Sequence, residues 1–127
     1  MQASESLRRL VLEYYAAVNS LDEAAVKDRY HAGPEASMVG TDAHEWFVGG
    51  DSVIAAFSTQ FAEYPDVRVE PGSIEAYEAG DAGWFSDRPT LRWGDAVVPT
   101  RLTGTALCRD GAWRIVQSHL SVARAGN

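Results

Sequence analysis

From Asp66 onward the chain alternates apolar and polar residues with a period of two, and it does so almost to its end. Four runs carry the alternation: Val67 to Tyr77, Ala82 to Trp93, Ala96 to Arg109 and Ala112 to Ala123. Successive side chains of a strand point to opposite faces, so this periodicity commits the second half of the chain to β-structure. The separators Ala79-Gly80-Asp81, Gly94-Asp95 and Asp110-Gly111 are hairpin chemistry, because glycine and aspartate tolerate the backbone that a tight turn requires. Strands joined by turns this short must run antiparallel, and strands this long must twist and coil.

The first half has a different period. Leu7, Leu10, Val11, Tyr14, Tyr15, Val18 and Leu21 draw one apolar stripe along a helix, with Ser4 as its N-cap and Glu5 at the positive end of the dipole. Ser20 and Glu23 have the capping-box spacing, which predicts a second helix carrying Ala25, Val26, Arg29 and Tyr30 and stopping at Gly33-Pro34. Ala36 to Val39 is a short strand, Thr41 to His44 its turn, and Glu45 to Val48 the returning strand. After Gly49-Gly50, Asp51 caps a third helix with Val53, Ile54, Phe57 and Phe61 inside and Pro65 beyond its end. Three helices ahead of a long meander predict one α+β domain over residues 1–127, with the helices on the concave side of a curved antiparallel sheet and a pocket between them.

Size and charge narrow the function. A chain of 127 residues exposes roughly 20,000 Å² unfolded and about 6,600 Å² folded, enough burial for a core without staples. The single cysteine, Cys108, excludes an internal disulfide framework and a cysteine-rich zinc cage. A net charge of −7 argues against nucleic acid and anionic membrane as partners. No apolar run is long enough to span a bilayer, and the N-terminus lacks an apolar signal core, so the expected compartment is the cytoplasm.

Val39-Gly40-Thr41-Asp42-Ala43-His44-Glu45-Trp46-Phe47-Val48-Gly49 resembles the segment "GTD…EW…G" of SnoaL-like domains in the nuclear-transport-factor-2-like superfamily. Arg101-Leu102-Thr103, followed by Asp110 to Ser121 with its Trp113-Arg114-Ile115-Val116 and His119, is similar to that family's last two strands. The same ending resembles the association domain of calcium/calmodulin-dependent protein kinase II. The resemblance implies a cone-shaped pocket between curved sheet and helices, and a homodimer formed through the sheet. It implies no single activity, since isomerases, cyclases, dehydratases, binding modules and oligomerisation domains share the fold. Ketosteroid isomerase, a relative, needs a carboxylate base and an oxyanion hole made of a tyrosine and a protonated acid. Tyr14 corresponds to that tyrosine. No carboxylate stands at Met38 to Thr41 or at Thr103 to Thr105, so that mechanism is not expected here.

Counting by twos from Trp113 puts Gln117 and His119 on one face and Ser118 and Leu120 on the other, while Arg101, Thr103 and Thr105 share a face of the preceding strand. Arg101 and His119 looking into one enclosure would set a fixed cation beside a proton carrier, which suits proton transfer next to a carbonyl. Tyr14 would donate a hydrogen bond, and Asp42 is the reserve carboxylate if its turn folds over the mouth. Trp46, Trp84, Thr103 and Tyr15 are the expected ligand-binding wall. Each also has a plain structural reading: an ion pair for Arg101, a core or interface position for His119, packing for the aromatics. His31, His44, Asp42 and Glu45 show no recurrent ligand spacing, so no metal is expected, and no organic cofactor either. The expectation is a small apolar or carbonyl or carboxylate ligand, handled by acid-base chemistry. The alternative is a non-catalytic ligand-binding or oligomerisation module of the same fold.

Overall fold

The computed structural model describes residues 1–124. Helix α1 (Glu5–Asn19) begins at Ser4, whose side chain accepts from the Leu7 N–H at 3.2 Å, as its sequence requires. Helix α2 (Glu23–Arg29) is capped differently from expectation. Asp22 accepts from the Ala25 N–H at 3.0 Å, while the Ser20 hydroxyl turns back to the Ala16 carbonyl at the end of α1. Leu21 between them adopts φ 55°, the left-handed residue that ends one helix before the next can start. Helix α3 (Gly50–Glu63) starts at Gly49, at φ 95°, rather than at Asp51, which sits in the first turn.

Ten strands follow in chain order: β1 (Gln2–Ala3), β2 (Ser37–Val39), β3 (Trp46–Val48), β4 (Arg68–Glu70), β5 (Glu75–Ala79), β6 (Ala82–Asp87), β7 (Thr90–Trp93), β8 (Ala96–Pro99), β9 (Arg101–Arg109) and β10 (Ala112–Ser121). The main sheet has seven strands in the order β1-β5-β6-β9-β10-β2-β3, and β4-β7-β8 form a second, three-stranded sheet. The architecture is the expected α+β arrangement. The main sheet is mixed rather than wholly antiparallel, because β2 pairs parallel with β10 through Gln117 to His119.

Three of the long runs are each divided between the two sheets. The breaks fall beside Pro71, Pro89 and Pro99, where a missing N–H ends ladder pairing. Thr100 holds one such corner, its backbone N–H and its hydroxyl both donating to the Pro89 carbonyl. The core lies where α1 covers β5, β6 and β10 and α2 covers β10, with Leu7, Val11, Val26 and Ile115 fully buried. Further along, toward α3 and the small sheet, side chains no longer fill the space between the layers.

Candidate functional site

That unfilled space is a cavity of about 730 Å³. Its walls come from α1 (Tyr14, Tyr15, Val18), one face of α3, the β2–β3 hairpin, the small sheet (Val69, Leu91) and the inward residues of β9 and β10 (Leu102, Ser118, Leu120). The volume and the mainly apolar lining are those of a small-molecule site.

Tyr14 and Tyr15 reach it together because the apolar face of α1 is wide enough to bury both. Tyr14 is 7% exposed, and its ring meets Phe57 edge-on with centroids 5.9 Å apart. Tyr15 donates to Asp87 Oδ2 at 2.7 Å. Asp87 is itself buried and also accepts from the backbone N–H groups of Gly72 and Arg88. Deeper still, Tyr30 donates to the Ser37 carbonyl at 2.8 Å, which leaves the Ser118 hydroxyl to donate to Tyr30 across 2.6 Å.

The Tyr14 hydroxyl has no such engagement. Among the described residues, the only buried side-chain nitrogen or oxygen without a partner is Arg29 Nε. Tyr14 Oη has no hydrogen-bond partner among the described residues and is not one of those fully buried atoms, so it borders open space, and the space beside Tyr14 is the cavity. Burial pushes the phenol of Tyr14 well above its ordinary range, with the neighbouring Tyr30 adding to the shift. Tyr15 is raised by burial first and by its bond to Asp87 second. Tyr14 is therefore a neutral donor, never a base, at physiological pH.

The polar rim is built by the turn before β3 and by α3. Glu45 Oε1 accepts from the Asp42 N–H at 2.8 Å, which folds Glu45 over Gly40 and onto the cavity edge. Glu45, His44 and Glu63 all line the opening. No lysine or arginine is among the described residues that line it.

Several expected site residues lie elsewhere. Arg101 and His119 are exposed on the opposite face of the sheet, where His119 stands between Thr103 and Val39 and Arg101 Nε donates to Ser121 Oγ at 3.2 Å. They do not share the cavity. Trp46, at 69% exposed, and Trp84, stacked on Tyr77, belong to that same open face, as does Thr103. For His119 the cause is a bulge in β10 between Ile115 and Gln117: Ile115 and Ser118 both point inward, so the alternation counted from Trp113 inverts before His119. Asp42 does not line the cavity; it is exposed in its turn and accepts from the His44 N–H. Tyr14 and Tyr15 alone of the expected set line the cavity.

Glu63 and the Asp87 that holds Tyr15 were not singled out as functional in the sequence, and Glu45 was weighed there only as a metal ligand. A signal for the correct face was present in β9, where Leu102, Gly104 and Ala106 alternate with Arg101, Thr103 and Thr105. On a sheet covered on one side, the apolar set faces the helices.

The family model described as the SnoaL-like domain matches residues 7–125. Among solved structures, an NTF2-like protein of unknown function from Pseudomonas putida superposes with a TM-score of 0.83 at 17% identity, covering 94% of this chain and 85% of that one. A candidate dehydratase of the NTF2-like family from Streptomyces avermitilis gives 0.85 at 12% identity, covering 95% and 96%. A candidate calcium/calmodulin-dependent protein kinase type II association domain from Thiobacillus denitrificans gives 0.79 at 17% identity, covering 91% and 93%. At these identities the likeness is one of fold. None of the curated proteins matches this chain.

Proposed function

The chain belongs to the SnoaL-like family, and from that premise we propose that it holds a small, mostly apolar carbonyl compound in its cavity, with the carbonyl oxygen accepting from Tyr14. The observation that carries this reading is the Tyr14 hydroxyl, without a partner among the described residues, in a mainly apolar enclosure whose other buried hydroxyls are engaged. A desolvated donor is most useful where negative charge develops on an oxygen. Such stabilisation is what isomerisations and dehydrations beside a carbonyl require, because both pass through an enolate whose charge would rest on the oxygen that Tyr14 holds. Glu45 and Glu63, the carboxylates of the lining, stand at its rim. The NTF2-like relative named as a candidate dehydratase is in keeping with this class of chemistry.

Binding tests the reading before turnover is sought. The naphthyl ketone 6-propionyl-2-(dimethylamino)naphthalene, whose emission shifts to the blue in apolar surroundings, should be taken up by the protein. Tyr14→Phe should weaken that binding about threefold to tenfold, the worth of one neutral hydrogen bond, without lowering thermal stability. Equal binding by the variant, or no uptake of the ketone, would count against the proposal.

A second reading has its own support. The open face of the main sheet exposes Trp46, Val48, Trp84 and Tyr77, with small Thr103 and Thr105 on the central strand between the two aromatic flanks. A two-fold axis near β9 would lay one flank of each copy on the other's opposite flank, giving a homodimer that leaves the cavity free.

A further inference from the structure

The cavity's charges are one-sided. Among the described residues its lining contains two carboxylates, Glu45 and Glu63, and no lysine or arginine. The Asp42 N–H and the Thr41 hydroxyl fix the Glu45 carboxylate at the edge. The whole chain adds a net charge of −7, so the long-range field points the same way. At the inner end stands a hydrogen-bond donor, the unpartnered hydroxyl of Tyr14, whose side chain is more than nine-tenths buried. A ligand that fills this space meets a neutral donor at its inner end and negative charge at its outer end.

We propose that the cavity selects its ligand by charge: an apolar carbonyl compound bearing a basic amine or ammonium at the end opposite its carbonyl, with carboxylates and phosphates refused. An anion entering here would lose hydration without gaining a cation, a desolvation cost that only pairing could offset. On this proposal a carboxylate-bearing ligand, one of the classes the sequence admits, binds more weakly than a neutral or cationic one. An ammonium at the rim keeps part of its hydration and gains two counter-charges, of which Glu45 is held in place by its turn. This rests on the reading of the cavity as a carbonyl site, with Glu45 and Glu63 as specificity-determining residues.

Three naphthyl ketones of one shape make the test: 2-acetylnaphthalene, its 6-aminomethyl analogue and its 6-carboxy analogue. Each competes against the fluorescent naphthyl ketone at about pH 8, where an alkyl ammonium and an aryl carboxylate are both charged. The amine should bind more tightly than the neutral ketone, and the carboxylate more weakly. The amine should exceed the carboxylate by at least about tenfold at low salt, and less as ionic strength rises. The double variant Glu45→Gln, Glu63→Gln should bring the three affinities together while the neutral ketone's own affinity holds, since glutamine keeps an acceptor for the Asp42 N–H. Equal affinities of amine and carboxylate in the unaltered protein, or a preference that survives the double variant, overturn the charge selection while leaving the carbonyl site standing. Failure of the neutral ketone to bind, or indifference of its binding to Tyr14→Phe, overturns the carbonyl site and the selection with it.

Discussion

Tyr14 and Tyr15 are neighbours in sequence and border one cavity, yet their hydroxyls have opposite obligations. Tyr15 completes the hydrogen bonding of a buried carboxylate, so Tyr15→Phe takes a donor from Asp87 and leaves only the Gly72 and Arg88 N–H groups. That substitution should cost about 1–3 kcal/mol of stability in urea unfolding. Tyr14→Phe should fall within about 0.5 kcal/mol, because Oη has no protein partner to abandon. A result with the two reversed would mean that Tyr14, not Tyr15, holds the structural bond. The helical stripe places both rings in the interior from sequence alone. It cannot tell the two hydroxyls apart, since the partner that distinguishes them lies on β6, across most of the chain.

Among the elements, β10 decides the most. One extra residue between Ile115 and Gln117 moves Ser118 and Leu120 onto the cavity side and turns His119 and Gln117 out. Alternation is legible in a sequence; a bulge that resets it is not, because no residue type is reserved for it. Gly104 on β9 lies opposite Ser118 and marks how tightly β6 and β10 close on it there. A methyl at Gly104 would meet the Phe85 ring and come within 2.7 Å of the Gln117 carbonyl oxygen. Gly104→Ala should therefore destabilise the protein by about 1–3 kcal/mol, as overpacking does, with a lowered melting temperature as the measure. An unchanged melting temperature would show that Phe85 can swing aside freely. The helix starts are a milder case: Ser20 and Asp22 are both competent caps, and the left-handed Leu21 between them selects Asp22.

For the whole molecule, three buried tyrosines tie folding to alkaline pH. Burial raises the phenols of Tyr14, Tyr15 and Tyr30 above their ordinary value in the folded chain. Above about pH 10 the unfolded chain releases protons that the folded chain still holds, so stability is full below that point and falls as pH climbs. Each tyrosine contributes a slope of up to about 1.4 kcal/mol per pH unit. Tyr14→Phe should make the decline shallower by one such contribution, while leaving the profile below about pH 9 unchanged. A flat melting curve to about pH 11.5 would contradict the burial of these phenols. The open sheet face gives a second expectation: the double variant Trp46→Glu, Trp84→Glu should elute as a monomer if the face carries a dimer, with the cavity's ketone binding retained.

Local periodicity, caps and turn chemistry were enough to read from the sequence that three helices precede a long β-meander, that the class is α+β, and that Tyr14 and Tyr15 turn inward. These are short-range preferences, and each residue carries its own. Which face of the last two strands meets the cavity, which hydroxyl stays free and which carboxylates stand at the rim were decided only by the tertiary structure. Those outcomes depend on a register shift of one residue and on contacts between distant segments, and such packing is a property of the assembled layers rather than of any stretch of chain.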